Sequence, residues 1–243
     1  MTQGPLTVRR LGWDSEFFGF EIAEACGITD PRFDFPLIRS RMSEDSFKLC
    51  YASLSRIGRR AIEETAQWGG RRINSRVTFR RRVDATGGGA AVCEMLGAPT
   101  DLDRDDLVDL AIIAGEYSRF RLDDRFPRSS FCRLYRRWME NSLTGQMADD
   151  VAVFRSEGRI RGMVTLQKKE TKGIIGLIAV AEGQRGRSIG KSLIAAAMQW
   201  FSLNGCTMAE VVTQGENGPA VSLYTKAGFN VAADDDIYHF WED

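Results

Sequence analysis

Apolar and polar residues follow two rhythms along the second half of the chain. Residues 174 to 180, Ile-Ile-Gly-Leu-Ile-Ala-Val, form an unbroken apolar run of strand length, the pattern of a buried β-strand. Ile189, Leu193, Ala196, Ala197, Trp200 and Phe201 then recur at helical spacing, one stripe on one helix face. Asn204-Gly205 predicts where that helix stops. Residues 208 to 214 read as a strand. Residues 217 to 229 read as a second helix, with Pro219 near its first turn and Gly228 just past its end. Upstream, residues 151–155 and 162–167 flank Ser156-Glu-Gly-Arg159, a hairpin signal. Residues 229–232 and 237–241 are expected as two closing strands. Residues 101 to 114 predict a helix whose acidic start complements its dipole. Residues 131 to 143 predict another, with Leu134, Trp138 and Met139 on its apolar side. Strands and helices in this order imply an α/β fold, a mixed central sheet flanked by helices.

Residues 1–97 read as a smaller N-terminal α/β section and residues 98–243 as the main domain. In the first section, residues 48–54 predict a strand, 57–68 a helix and 76–83 a strand with alternating sides. Ala85-Thr-Gly-Gly-Gly-Ala-Ala91 is the linker candidate. The stretch Trp13-Asp-Ser-Glu-Phe-Phe-Gly-Phe20 sets aromatic rings beside two carboxylates. It reads either as an anchor of the N-terminal core or as a wall of a substrate pocket.

The candidate chemistry sits where the 174–180 strand ends in a Gly/Arg loop opening directly into a helix. Backbone N–H groups at a loop and first helical turn lack intrahelical partners, and the helix dipole adds positive potential. Arg185 and Arg187 add charge, and Gly186 and Gly190 leave the backbone approachable. The expected ligand is a coenzyme or nucleotide pyrophosphate. Gly190-Lys191-Ser192 copies the end of a nucleoside-triphosphate loop, but Gly186 leaves three intervening residues where that motif needs four. The residues that follow are too few for the further βα units of such a sheet.

Arg185-Gly186-Arg187-Ser188-Ile189-Gly190 resembles the Gln/Arg-x-x-Gly-x-Gly/Ala signature of the GCN5-related N-acetyltransferases, the GNAT family. Asn217, Ala220, Tyr224, Gly228 and Phe229 resemble that family's second element, in the right order. The resemblance implies a GNAT fold that binds acetyl-coenzyme A. Its coenzyme contacts would be Ile178, Ala179, Val180, Arg185, Gly186, Arg187, Ser188, Ile189, Gly190, Lys191, Asn217 and Ala220. Ser188 stands where the family prefers glycine; a negative φ would accommodate it and a positive φ would strain it. By the same resemblance, Tyr224 would be the general acid that protonates the departing thiolate, the other reading being a packed aromatic. A backbone N–H near Ile178 to Val180 would stabilise the oxyanion. The base stays open among Glu116, Asp123, Asp124, Glu216 and a water chain.

Trp13-Asp14, Phe17-Phe18-Gly19, Ser118-Arg119-Phe120, Trp138-x-x-Asn141-Ser142 and Thr213-Gln214-x-x-Asn217 narrow the resemblance to the TDP-fucosamine acetyltransferase type. That branch implies acetylation of a nucleotide-linked 4-amino deoxy sugar, with Phe18, Arg119 and Gln214 toward the substrate. Another small amine, a protein N-terminus, or non-catalytic acyl-coenzyme A binding are the competing readings.

Composition removes other classes. Basic and acidic residues number 33 each, so no global field calls for nucleic acid or a membrane surface. The five cysteines are odd in number and widely spaced, without metal or disulfide spacing, which points to a reducing cytoplasm. No signal peptide or bilayer-length apolar run is present in the sequence. The single histidine, His239, sits in an apolar strand and is expected to be structural; it excludes a multi-histidine metal site, and no metal is expected. A small-molecule partner is expected, and the oligomeric state is left open, a homodimer included.

Overall fold

A computed structural model describes residues 6–28, 30–56, 67–84 and 92–242. The chain divides into two compact units, residues 1–76 with 233–243, and residues 77–232. The predicted helix at 57–68 falls mostly outside the described residues, with Trp68 in a turn, and the glycine linker at 85–91 lies outside them too.

The first unit contains β1 (Thr7–Arg10), α1 (Gly12–Phe18), β2 (Ile22–Cys26), α2 (Pro31–Glu44) and β3 (Leu49–Ser55). It also holds most of β10 (Asn230–Trp241), and its strand order is β1-β2-β3-β10. β2 runs parallel to β3, and β1 and β10 pair antiparallel with β2 and β3. The α2 stripe Phe35, Ile38 and Met42 is buried against Ala23, Cys50, Ala52 and Phe240. Asp30 caps α2 by accepting from the Arg32 amide at 3.0 Å.

The aromatic stretch at 13–20 is largely a short helix, α1, on which Trp13 and Phe17 stack with centroids 5.1 Å apart. The two closing strands are one, β10. Its acidic middle reads as a break in the sequence, but Asp234, Asp235 and Asp236 pair with Arg56, Arg76 and Arg72. Charge pairing lets the strand continue through three carboxylates. His239 is fully buried, its ring 4.9 Å from that of Tyr51.

The second unit begins within β4 (Gly70–Arg82) and holds β5 (Glu94–Met95), α3 (Asp101–Ala114), α4 (Arg119–Leu122) and α5 (Arg128–Leu143). The chain then forms β6 (Asp150–Ser156), β7 (Arg159–Lys169), β8 (Lys172–Val180), α6 (Ile189–Leu203), β9 (Met208–Gln214) and α7 (Gly218–Lys226). Strand order is β4-β9-β8-β7-β6-β5. β6, β7 and β8 form an antiparallel meander and β9 joins β8 in parallel, so the sheet is mixed. The β6–β7 turn places Glu157 and Gly158 at φ +54° and +72°, the hand that suits a tight hairpin.

Helix α3 starts with a capping box between Thr100 and Asp103. Its Asp106 holds Arg159 and also accepts from the Ile160 amide at 3.0 Å, while Asp103 meets Arg155 at 2.5 Å. These pairs tie the helix to the hairpin, and they hold both carboxyls below the usual range. Of the expected stripe, helix α6 buries Ile189, Leu193, Ala196, Ala197 and Phe201, and Trp200 packs half-buried beside them. That stripe packs with Val77, Phe79, Leu166, Ile175, Tyr224 and Phe229 into the core of the unit.

Candidate active site

The site begins with a fault in the β7–β8 ladder. Val164 pairs with Ile178, but Leu166 pairs with Ile175. Gly176 and Leu177 therefore face the single residue Thr165, a β-bulge in β8. Parallel pairing of β8 with β9 ends at Ile175–Val211, although β9 continues to Gln214. Beyond the bulge the two strands lack ladder bonds to one another. The Ala181 amide bonds the Arg161 carbonyl on the β7 side at 2.9 Å. Alternation along an antiparallel strand then turns the amides of Ile178 and Val180 away from β7, toward the β9 side.

The chain leaves β8 through a 3₁₀ turn at Glu182–Gln184 and enters α6. Gly186 and Ser188 both take positive φ, +78° and +62°. The serine is thus in the strained alternative, at the N-cap of α6, and its side chain makes no capping bond. Among the described residues, the amides from Gly186 through Lys191 have no protein acceptor. Arg185, Arg187 and Lys191 are exposed and carry no ion pair within the described residues. Backbone donors, helix dipole and guanidinium charge converge there. Gly190 serves packing as well as access: a Cβ on it would lie 3.2 Å from Leu223 of α7.

Helix α7 forms the opposite wall. Asn217 caps it by accepting from the Ala220 amide at 3.2 Å, with Pro219 in the first turn. One turn on, Tyr224 is 2% exposed, its ring 5.6 Å from Phe79 and 6.0 Å from Phe229. Burial pushes its phenol above the ordinary value, so it stays protonated through neutral pH. Together these parts enclose a cleft of about 390 Å³. It is lined by Ile178, Ala179, Val180, Arg185, Gly186, Ser188, Ile189, Gly190, Lys191, Asn217, Ala220 and Tyr224. Of the expected coenzyme contacts, only Arg187 is not part of that lining. An apolar groove leading to a ring of free amides suits a long thiol arm ending in a pyrophosphate.

Residues 116–229 match the family model for the acetyltransferase (GNAT) family. The chain carries a GNAT acetyltransferase domain over those residues. It is therefore an N-acetyltransferase, and its co-substrate is acetyl-coenzyme A. Over 228 residues it is 27% identical to the dTDP-fucosamine acetyltransferase of Escherichia coli O6:H1, covering 93% of this chain and 94% of that protein. It is 26% identical to the spore coat polysaccharide biosynthesis protein SpsD of Bacillus subtilis, over 60% of this chain and 50% of that one. A GCN5-related N-acetyltransferase from Sphaerobacter thermophilus shares the fold, with TM-score 0.63 at 16% identity, over 96% of this chain and 75% of that one.

The GNAT cleft also takes in residues that the sequence did not single out. Ile113, Ala114 and Tyr117, at and after the end of α3, line it beside Gln184, Pro219 and Leu223. They come from another part of the chain, and only tertiary structure brings them there. Arg119, two residues past Tyr117, lies with its guanidinium 4.8 Å over the Phe120 ring and does not line the cleft. Gln214 ends β9 half-buried, accepting from the Asn217 amide through its carbonyl at 2.9 Å, also outside the lining. Phe18 closes α1 in the first unit, edge-on to Phe17.

None of the base candidates lines the cleft. Glu116 is engaged by Arg121 at 3.4 Å and Arg128 at 3.6 Å. Asp123 is 1% exposed and accepts from the Arg125 amide at 3.1 Å. Asp124 and Glu216 are exposed in loops. No helix among the described residues is long and apolar enough to cross a membrane.

Proposed function

We propose that this acetyltransferase moves the acetyl group of acetyl-coenzyme A onto the 4-amino group of a TDP-linked 4-amino-4,6-dideoxy sugar. The observation that carries the reading is the near end-to-end match to the dTDP-fucosamine acetyltransferase, at 93% and 94% coverage. Kinship with a spore coat polysaccharide protein supports the same substrate class.

In this reading the amides of Gly186 through Lys191, with Arg185 and Arg187, hold the pyrophosphate. The coenzyme arm runs between β8 and α7 past Ala179, Asn217 and Ala220. The thioester carbonyl lies against the amides of Ile178 and Val180. The neutral sugar amine attacks the carbonyl carbon, and developing negative charge on oxygen is met by these preset donors. The carbon–sulfur bond then breaks, Tyr224 gives its proton to the thiolate, and the proton lost by the amine returns through water to Tyr224. Coenzyme A and the acetamido sugar are the products. A cytoplasmic location, where both substrates are made, fits this reaction.

The test is direct. Purified protein with acetyl-coenzyme A and TDP-4-amino-4,6-dideoxygalactose should release coenzyme A thiol and yield the acetamido product by mass spectrometry. Polyamines, free amino sugars and N-terminal peptides should give far lower kcat/KM. A preference for any of these would overturn the assigned substrate.

A further inference from the structure

We infer that Thr165 is a positioning residue for the acyl-transfer step, through the hydroxyl that locks the bulge in β8. The inference rests on the backbone-donor reading above and not on the sugar.

A bulge leaves one strand residue without a ladder partner. Here the orphan amide is that of Leu177, and it donates to the Thr165 hydroxyl oxygen at 2.7 Å. Thr165 is 2% exposed, so no solvent can replace that acceptor. The facing residue is Gly176, where a Cβ would stand 2.7 Å from the same hydroxyl oxygen. Glycine and threonine are thus complementary across the two strands: one makes room for the hydroxyl, and the other accepts the extra N–H. A single buried contact fixes where the additional residue enters β8.

That position decides which amides face the cleft. Strand direction alternates with period two, and one extra residue reverses the alternation beyond it. With the bulge at Gly176–Leu177, the amides of Ile178 and Val180 turn to the open side beyond Ile175–Val211, where β9 no longer pairs. Without the bulge, those amides would point at β7 and Ala179 would face the gap instead. Thr165 itself does not line the cleft, so it acts through the backbone it holds.

Acetyl-coenzyme A labelled with ¹³C at the thioester carbonyl tests this without any acceptor amine. Bound to the wild-type protein, the carbonyl should show a lowered stretching frequency and a downfield ¹³C shift, the signature of polarisation by hydrogen bonds. Thr165→Val keeps the shape and removes the acceptor; its bound carbonyl should return toward the free value while coenzyme affinity by calorimetry stays within about threefold. Its kcat should fall roughly tenfold or more, against about 10²- to 10³-fold for loss of a whole oxyanion donor. Thr165→Ser restores the hydroxyl and should restore both signals. If the valine variant does not fold, Gly176→Ala displaces the same hydroxyl from the opposite strand and should weaken the polarisation. An unpolarised carbonyl in the wild type, an unchanged signature in the altered proteins, or failure of serine to rescue would each overturn the inference. Failure of the sugar assay alone would leave it standing.

Discussion

Ser188 is the residue at which this chain departs from its family, and its backbone shows what the departure costs. A non-glycine residue at φ +62° carries a left-handed penalty of about 1–2 kcal/mol. Nothing offsets it locally, because the side chain makes no capping bond. Glycine would remove the strain but lose roughly 0.5–1 kcal/mol to its freer unfolded state. Ser188→Gly should therefore raise stability modestly, shifting Tm upward by about 2–4 °C for a gain near 1 kcal/mol. Coenzyme affinity should move less than threefold, since backbone amides make the proposed contact. A lower Tm in a scanning calorimeter would show that the loop does not need the left-handed turn. Tyr224 is the second residue-scale test. Tyr224→Phe keeps the ring between Phe79 and Phe229 and removes only the hydroxyl. General acid catalysis is worth about 10²- to 10⁴-fold, and a thiolate leaves readily, so kcat should fall toward the lower figure with coenzyme affinity unchanged. Retention of activity within threefold would leave the phenol a packing group.

At the scale of elements, the sequence is legible where one physical signal dominates. Helix α3, strand β9 and the stripe of α6 lie where the acidic start, the 208–214 run and the helical spacing place them. The Gly/Arg loop is readable for a similar reason: it is a local strand-to-helix junction whose glycines and arginines sit side by side. Helix α2 is harder to see because Pro36 interrupts it and its buried stripe is only Phe35, Ile38 and Met42. Strand β10 looks like two strands because the arginines that neutralise Asp234, Asp235 and Asp236 lie far away in sequence. The bulge is invisible for the same reason. Thr165 and Gly176 carry no local motif, and only the register between β7 and β8 makes them partners. Tyr117 reaches the cleft by tertiary packing alone. Local chemistry is thus written in short motifs, while aim and enclosure are set by pairings across the chain.

At the scale of the whole catalytic unit, the distribution of charge has a kinetic consequence. Lysine, arginine and tyrosine are the only ionisable side chains among the described residues lining the cleft: Arg185, Lys191, Tyr117 and Tyr224. That composition suits a coenzyme pyrophosphate, but it offers no carboxylate or imidazole to take a proton from an incoming ammonium group. Of the two carboxylates that adjoin lining residues in sequence, Glu116 is held by two arginines and Glu216 is exposed in a loop. The acceptor should therefore lose its proton in solution and bind as the neutral amine. With acetyl-coenzyme A saturating, log(kcat/KM) for the acceptor should rise with unit slope and level off at the pKa of the free amine, because kcat/KM reports free enzyme and free substrate. Tyr224 adds no competing break in that range, since its phenol is pushed above its ordinary value. Two acceptors whose amines differ in pKa separate the cases: the break should move with the amine. A break fixed at one pH for both acceptors would assign the proton to a group on the protein, with Glu116 and Glu216 the first to replace by glutamine.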